Sequence, residues 1–132
     1  MPKSASASSN QPQDRQALIA KATVGDASAQ STMGDRCRTG DAATEPDLPD
    51  ALKWYRLAAA HGDRNAQNNI GAMYQNAMGV AKDLAEAAKW YRLAADQGLA
   101  IAQYNLALML GWGKGVPMDE PGALIYLHDA AN

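Results

Sequence analysis

The amino-acid sequence predicts an all-α protein built from repeated helical hairpins, on three observations. The string KWYRLAA occurs twice, starting at Lys53 and at Lys89, and the residues that follow each copy repeat as well. A repeat period of about 20 to 50 residues is typical of supersecondary units that stack into a solenoid. Alanine is abundant, phenylalanine is absent and β-branched residues are few, which favours helices in close contact. No stretch alternates apolar and polar residues as a strand does.

Composition and charge limit the functions that the chain can have. The 132 residues suit one small domain, and the net charge of −2 comes from interspersed acids and bases. Nucleic acid is not expected as a partner, because there is no basic stripe. The single cysteine, Cys37, cannot form an internal disulfide, which fits either a reducing compartment or an exported fold without disulfides. We expect a cytoplasmic protein without membrane insertion, since no secretory signal and no apolar run of about 20 residues occurs; non-classical export stays open.

The N-terminal segment predicts a tail followed by a capping helix. Residues 1–13 consist mainly of Ser, Gln, Asn and Pro and are expected to be disordered, either as a solubilising tail or as a docking or secretion segment. The repeat domain is expected to span 14–132. Its first stretch, DRQALIAKATVGD, ends like the second helix of a hairpin, because the Gly-Asp pair at 25–26 recurs at 62–63. The stretch therefore predicts a helix that caps the stack.

The first and third repeats share one order of helix, loop and helix. They are expected at about 27–62 and 100–132. Register places their helices at about Ala27–Arg38, Leu48–His61, Ala100–Trp112 and Asp119–Ala130. A proline lies near the start of each second helix, at Pro49 and at Pro121, where the missing backbone N–H is tolerated.

The second repeat, at about 64–98, carries the clearest helix signals. Five apolar residues share one face of its first helix, namely Ala66, Ile70, Met73, Tyr74 and Ala77. Gly71 costs that helix about 1 kcal/mol relative to alanine, so we expect it to permit close approach of a neighbouring helix. Asp83, followed by Glu86 three residues later, is the predicted N-cap of the second helix, and Gly98 ends that helix.

The pattern AQ-x-x-(I/L)-G-x-M-Y, then GV-x-x-D, then A-x-x-WY-x-x-AA-x-x-G resembles the Sel1-like repeat, a relative of the tetratricopeptide repeat. The resemblance is strong over Ala66–Gly98, good over Ala102–Ala131 and weaker over Ala29–Gly62. It implies a right-handed superhelix, an α-solenoid, of about three hairpins. Cys37 takes the place of the repeat's tyrosine, which predicts a small, buried, apolar residue. In the third repeat the motif's Gly, Tyr, Trp and Tyr become Ala107, Leu110, Tyr126 and Leu127.

The resemblance implies a protein–protein interaction module, such as a bacterial adaptor, scaffold or regulatory partner. We predict no catalytic, metal-binding or cofactor-binding residues. The stretch Gly111–Val116 lacks the spacing and the Ser or Thr of a phosphate loop, and His61 and His128 lie too far apart in register for a metal site. A single cysteine excludes the cysteine-rich subclass that has been linked to β-lactam binding. Two alternatives stay open: a dedicated chaperone or immunity-type inhibitor of one partner, and an enzyme whose site the sequence does not reveal.

The resemblance also implies where another protein or peptide would bind. In tetratricopeptide-like stacks the first helix of each hairpin lines a concave groove. The residues predicted to line it are Ser31, Asp35, Arg38, Asn68, Ala72, Gln75, Tyr104, Leu108 and Trp112. We expect a peptide or helix to dock at the aromatic end, near Tyr104 and Trp112, and Asp35 or Arg38 to fix its orientation. The alternative is that Trp112 folds over the following loop and Tyr104 packs on a neighbour.

A second candidate surface is the run ALIYL at Ala123–Leu127. One helix face cannot hold five consecutive residues, so part of the run is expected to be exposed. Leu124, Ile125 and Leu127 are therefore predicted to contact a partner or a second copy of the chain, as in a homodimer. The alternatives are a last helix that leaves some apolar surface exposed, and a chain that is one fragment of a longer solenoid.

Overall fold

The computed structural model describes residues 12–41 and 44–131, and helices are the only regular secondary structure within these residues, so the predicted all-α class is confirmed. Its helices are α1 (Pro12–Thr23), α2 (Ala27–Thr39), α3 (Leu48–Ala60), α4 (Arg64–Gln75), α5 (Leu84–Asp96), α6 (Ala100–Trp112) and α7 (Glu120–Ala131). The predicted tail at 1–13 lies outside the described residues up to residue 11. The capping helix α1 begins at Pro12.

The helices form a linear stack in which each helix packs on its neighbours along the chain. The pairs α2 and α3, α4 and α5, and α6 and α7 are the three hairpins, and α3 and α5 each pack on the first helix of the next hairpin. We call α2, α4 and α6 the A helices and α3, α5 and α7 the B helices. Helix α1 packs on α2 in the manner of a B helix, so the stack begins with half a hairpin.

Aspartate caps fix where several of the helices begin. The Oδ1 atoms of Asp26, Asp63 and Asp83 each accept a hydrogen bond of 3.0 Å from the backbone N–H three residues later. Such a bond satisfies one of the donors that the first helical turn leaves unpaired. Helix α6 is different, because Leu99 stands at its N-cap and provides no side-chain bond.

Helix α4 ends two residues earlier than the sequence predicted. It stops at Gln75, and Ala77, expected on its buried face, is exposed with a φ of +55°. The following loop reaches the preceding hairpin: a Cβ on Gly79 would lie 2.7 Å from the Cβ of Leu48. Gly115 packs on Leu84 in the same way one hairpin later. The two loops therefore close successive hairpins against each other.

A tyrosine ring packs on a helix glycine in each of the first two hairpins. A Cβ on Gly71 would lie 2.7 Å from Cδ1 of Tyr91, and a Cβ on Gly34 would lie 2.5 Å from Cδ1 of Tyr55. The close helix approach expected at Gly71 is therefore confirmed. The third hairpin has Ala107 and Leu127 at these two positions.

The apolar core lies between the helices as three successive clusters. One joins α1 and α2, the next joins α2, α3 and α4, and the last joins α5, α6 and α7. Cys37 belongs to the middle cluster, which confirms its predicted burial. Among the described helices, none is long and apolar enough to cross a membrane.

Candidate partner-binding surface

The polar end of the predicted groove is organised by a buried tyrosine. The Tyr55 hydroxyl donates a 2.5 Å hydrogen bond to Oδ1 of Asp35 and accepts a 3.0 Å bond from Nε of Arg38. Arg38 also forms a 3.5 Å ion pair with Asp35. Burial, and then the bond to Asp35, raises the pKa of the Tyr55 hydroxyl. The phenol therefore stays protonated and holds both charged side chains in place on the surface.

The amide residues in the middle of the groove are less available than the sequence suggested. Gln75 Oε1 accepts a 2.6 Å hydrogen bond from the Tyr91 hydroxyl, so its amide is held in one orientation. Asn68 is buried, and its Oδ1 accepts a 3.3 Å bond from Nδ2 of Asn105 on the next A helix. Asn68 therefore lies mainly between α4 and α6 rather than in an open groove.

Cys37 has the environment of a structural thiol. Its Sγ lies 3.3 Å from Oδ2 of Asp50, to which it donates. Burial, followed by the hydrogen bond to Asp50, raises the pKa of the Cys37 thiol to about 12. A nucleophilic cysteine needs the thiolate, which this environment disfavours at neutral pH.

The aromatic end of the groove is exposed on α6. Tyr104 is 50% exposed and Trp112 is 62% exposed, and Leu108 between them is half-buried. Nζ of Lys114 lies 5.2 Å from the centroid of the Trp112 ring, within the range of a cation–π contact. Ile101, also exposed, continues this stripe, although the sequence analysis did not include it. Its signal is the spacing of three residues from Tyr104, which places both on one helix face.

Register shows why the end of α6 differs from the other A helices. Ser31, Asn68 and Tyr104 occupy one position in successive repeats and are 8%, 9% and 50% exposed. The Asn68–Asn105 contact indicates that this position faces the next A helix. At Tyr104 the described residues supply no such helix, so the ring is open to solvent.

Helix α7 likewise exposes positions that the other B helices bury. The positions held by Ala51, Leu52, Tyr55, Ala58 and Ala59 on α3 are all buried, as are the corresponding residues of α5. On α7 those positions fall at Ala123, Leu124, Leu127, Ala130 and Ala131. Leu124, Leu127 and Ala131 are exposed, whereas Ala123 is buried. Ile125 is different, because it stands where the solvent-facing Lys53 and Lys89 stand in the inner hairpins.

A cavity of about 310 Å³ lies between α6 and α7. Its lining residues come from α6 and α7: Gly111, Glu120, Ala123 and Leu124. The last hairpin thus carries both surfaces predicted from the sequence, the aromatic end of the groove and the apolar end of the last helix. We call this combined surface the terminal surface and define it by Tyr104, Leu108, Trp112, Leu124, Leu127 and Ala131.

Seven of the eleven large apolar side chains that are exposed in the described part of the chain belong to the last hairpin. The inner hairpins contribute only Leu57 and Leu93. Exposed apolar residues that cluster rather than scatter mark interaction sites. Four of the seven, Tyr104, Trp112, Leu124 and Leu127, belong to the terminal surface, which is therefore the strongest candidate site among the described residues.

Comparisons with known proteins agree with this architecture. Chains of similar structure include a protective antigen of uropathogenic Escherichia coli that displays an SLR fold (39% identity, TM-score 0.84) and a Sel1 repeat protein from Oxalobacter formigenes (31% identity, TM-score 0.85). The alignments cover 88% and 90% of this chain but only 25% and 49% of those proteins. Cysteine rich protein B of Helicobacter pylori shares the fold at 17% identity, with a TM-score of 0.69 over 94% of this chain and 92% of that one. Among curated proteins, none matches significantly.

The repeats themselves settle the family. The Sel1 repeat matches residues 27–63, 64–99 and 100–132. Proteins built from these repeats are generally protein-interaction modules and are typically non-enzymatic scaffolds. With three matches that cover most of its length, this chain belongs to the Sel1 repeat family.

Proposed function

We propose that this protein is an interaction module, an adaptor, scaffold or regulatory partner, that binds a helix or peptide of another protein along its A helices. The observation that carries the proposal is the stripe on α6 that consists of the exposed Tyr104 and Trp112 with the half-buried Leu108 between them. Large aromatic side chains contribute much of the binding energy at protein interfaces, because they bury a large area with few rotatable bonds. The general role of Sel1 repeat proteins supports the same class of function.

The polar groups along the groove would orient the bound segment. Tyr55 holds Asp35 and Arg38, and Tyr91 holds Gln75, so these groups need little further ordering when a partner arrives. Groups that are already ordered cost less side-chain entropy on binding. We therefore propose that the aromatic stripe supplies most of the affinity and that Asp35, Arg38 and Gln75 determine the direction in which the bound segment lies.

A pull-down from native lysate tests the proposal. The intact protein is compared with a Tyr104→Ala/Trp112→Ala variant. The matched control is Leu57→Ala/Leu93→Ala, which removes two large exposed apolar side chains from the B helices α3 and α5. All three proteins must have the same circular dichroism spectrum. We expect a partner that the intact protein and the control retain and that the aromatic variant loses.

Two other results of the pull-down would contradict the proposal. If the same partner binds the aromatic variant as strongly as the intact protein, the α6 stripe is not the binding site. If the control loses the partner instead, binding occurs on the B helices and the proposed groove is wrong.

A further inference from the structure

The inner hairpins show what kind of surface covers a B helix. Leu52 of α3 lies in one buried cluster with Ala66, Ile70 and Met73 of α4. Ala88 and Tyr91 of α5 cluster in the same way with Ala102, Leu106 and Met109 of α6. In both cases the covering helix presents the pattern Ala-Gln-x-x-(Ile/Leu)-x-x-Met. The contact between one B helix and the next A helix is therefore a repeated interface with a defined sequence.

The glutamine position of the A helices adds a directional bond at Gln103 and also at Gln30 of α2, whose sequence departs from the pattern. Gln67 of α4 instead accepts a 2.7 Å bond from Nε2 of Gln97. Nε2 of Gln103 donates to the backbone carbonyl of Ala95 at 3.2 Å, and Nε2 of Gln30 donates to that of Ala22 at 3.0 Å. Both carbonyls lie in the last turn of the preceding helix, and each also accepts a backbone hydrogen bond, from Gly98 at 2.9 Å and from Gly25 at 3.2 Å. One repeat later the same register position on α7 is Ala131.

The terminal surface has these features without the covering helix. Leu124 and Leu127 replace the buried Ala88 and Tyr91, and both are exposed. Glu120 occupies on α7 the register position that Leu84 holds on α5, where the loop at Gly115 packs on Leu84. Glu120 also lines the 310 Å³ cavity. On the other side, Tyr104 occupies the position at which Asn68 meets the next A helix. Leu124 and Leu127 on one side and Tyr104 on the other therefore border a single site that has the size of a helix.

We propose that the terminal surface binds an A-type helix of a second polypeptide, one that carries the pattern Ala-Gln-x-x-(Ile/Leu)-x-x-Met. This inference rests on the proposed function and names the partner's chemistry. The apolar residues of the incoming helix pack on Leu124 and Leu127, and its glutamine donates to the carbonyl of Ala131. A second copy of this chain is a poor source of the helix, because α2, α4 and α6 are each already packed between two helices.

The test uses a probe taken from the chain itself. A fluorescent peptide with the sequence of residues 63–75, DRNAQNNIGAMYQ, presents the face of α4 that covers α3. The peptide carries Asn65→Glu and Asn69→Lys, outside the buried residues of that face, and the two new side chains condense with loss of water into a lactam bridge that keeps the short peptide helical. Circular dichroism verifies its helicity before use. Fluorescence anisotropy then measures its binding to the full 132-residue protein.

Two adjacent substitutions provide the matched comparison. Leu124 is 66% exposed and Ile125 is 61% exposed, so lysine is tolerated at either site without loss of core. Lysine is also the residue that the inner hairpins carry at the position of Ile125. We expect Leu124→Lys to weaken peptide binding by about tenfold or more, and Ile125→Lys to change it by less than about twofold. A peptide with Ile70→Asp should not bind.

Three results would overturn the inference. The first is the absence of saturable binding by a peptide of verified helicity. The second is an equal loss of binding with Leu124→Lys and Ile125→Lys. The third is a protein that is dimeric by light scattering and becomes monomeric with Leu124→Lys, because a second copy then covers the surface. If the peptide fails while the pull-down still depends on Tyr104 and Trp112, the proposed function stands and only the occupant is wrong.

Discussion

At the scale of single residues, the contact between glycine and tyrosine organises the first two hairpins. Gly34 and Gly71 leave room for the rings of Tyr55 and Tyr91, and a methyl group at either glycine would overlap the ring. In the third hairpin both partners differ together, as Ala107 and Leu127. A smaller, flexible side chain opposite alanine avoids the overlap, so the pair behaves as one packing unit.

This pairing predicts the effect of Gly71→Ala. The new methyl group would lie 2.7 Å from the Tyr91 ring, and such overpacking costs about 1 to 3 kcal/mol. Alanine recovers up to about 1 kcal/mol of helix propensity. We therefore expect the free energy of unfolding, measured by urea denaturation, to fall by up to about 2 kcal/mol. In a Tyr91→Leu background the same change should cost less, because leucine can move aside.

Gly111→Ala is the matched control for this prediction. Gly111 is also helical, but a Cβ there would lie 3.7 Å from the Cβ of Ala123, an ordinary contact. We expect the free energy of unfolding to stay the same or to rise by up to about 1 kcal/mol. An equal loss of stability at Gly71 and Gly111 would show that overlap with the ring is not the cause.

Because the Cys37 thiol is buried, we expect the free energy of unfolding to depend on pH in the alkaline range. Burial and the bond to Asp50 raise the pKa of its thiol from 9.0 to about 12. The unfolded chain therefore loses the thiol proton above about pH 9, while the folded protein keeps it until about pH 12. In this window the free energy of unfolding falls as the pH rises, by about 1.4 kcal/mol per pH unit for one proton. Below about pH 9 the contribution is fully present.

Chemical denaturation of the wild type and of Cys37→Ala, from about pH 8 to about pH 11, measures this term. Every other ionisable group is common to both proteins, so the difference between the two curves isolates the thiol. We expect the gap in stability between wild type and variant to narrow as the pH rises. Parallel curves would mean that Cys37 ionises as easily in the folded protein as in the unfolded chain.

At the scale of helices, the sequence determines most boundaries because the caps are encoded locally. The register between repeats and the predicted cap at Asp83 place most helix ends within one residue of the structure. The exception, Ala77, has an explanation in backbone geometry. It extends the apolar spacing of α4, but the chain turns there with a φ of +55°. Alanine rarely adopts that conformation, so the sequence carries no signal for the turn.

The candidate site was harder to predict, because register identifies equivalent positions but not what covers them. Asn68 and Tyr104 share a position, yet one is buried and the other exposed. The cover comes from the next A helix, which only the structure reveals. The distinction between Leu124 and Ile125 was available from the sequence, since Lys53 and Lys89 mark the position of Ile125 as solvent-facing.

At the scale of the whole molecule, stability is shared between neighbouring hairpins. Each inner B helix is covered by its own A helix and by the next one, so opening it disrupts two interfaces. Repeat stacks of this kind behave as a sum of hairpin stabilities and nearest-neighbour contacts. Helix α7 has only α6 as a covering helix in the described structure, so it opens without disturbing the interfaces within the stack.

Hydrogen exchange measures this gradient directly. We expect the backbone amides of α7 to exchange at least about tenfold faster than those of α5, because opening α7 exposes less buried surface. The bridged peptide of residues 63–75 should slow exchange in α7 when it binds, and it should leave α3 unchanged, since α3 is already covered by α4. With Leu124→Lys the peptide should have no effect on α7, whereas with Ile125→Lys its effect should persist. Equal protection of α5 and α7 in the free protein would show that α7 is already as stable as an inner B helix. That result would contradict the proposed binding of a partner helix at the terminal surface.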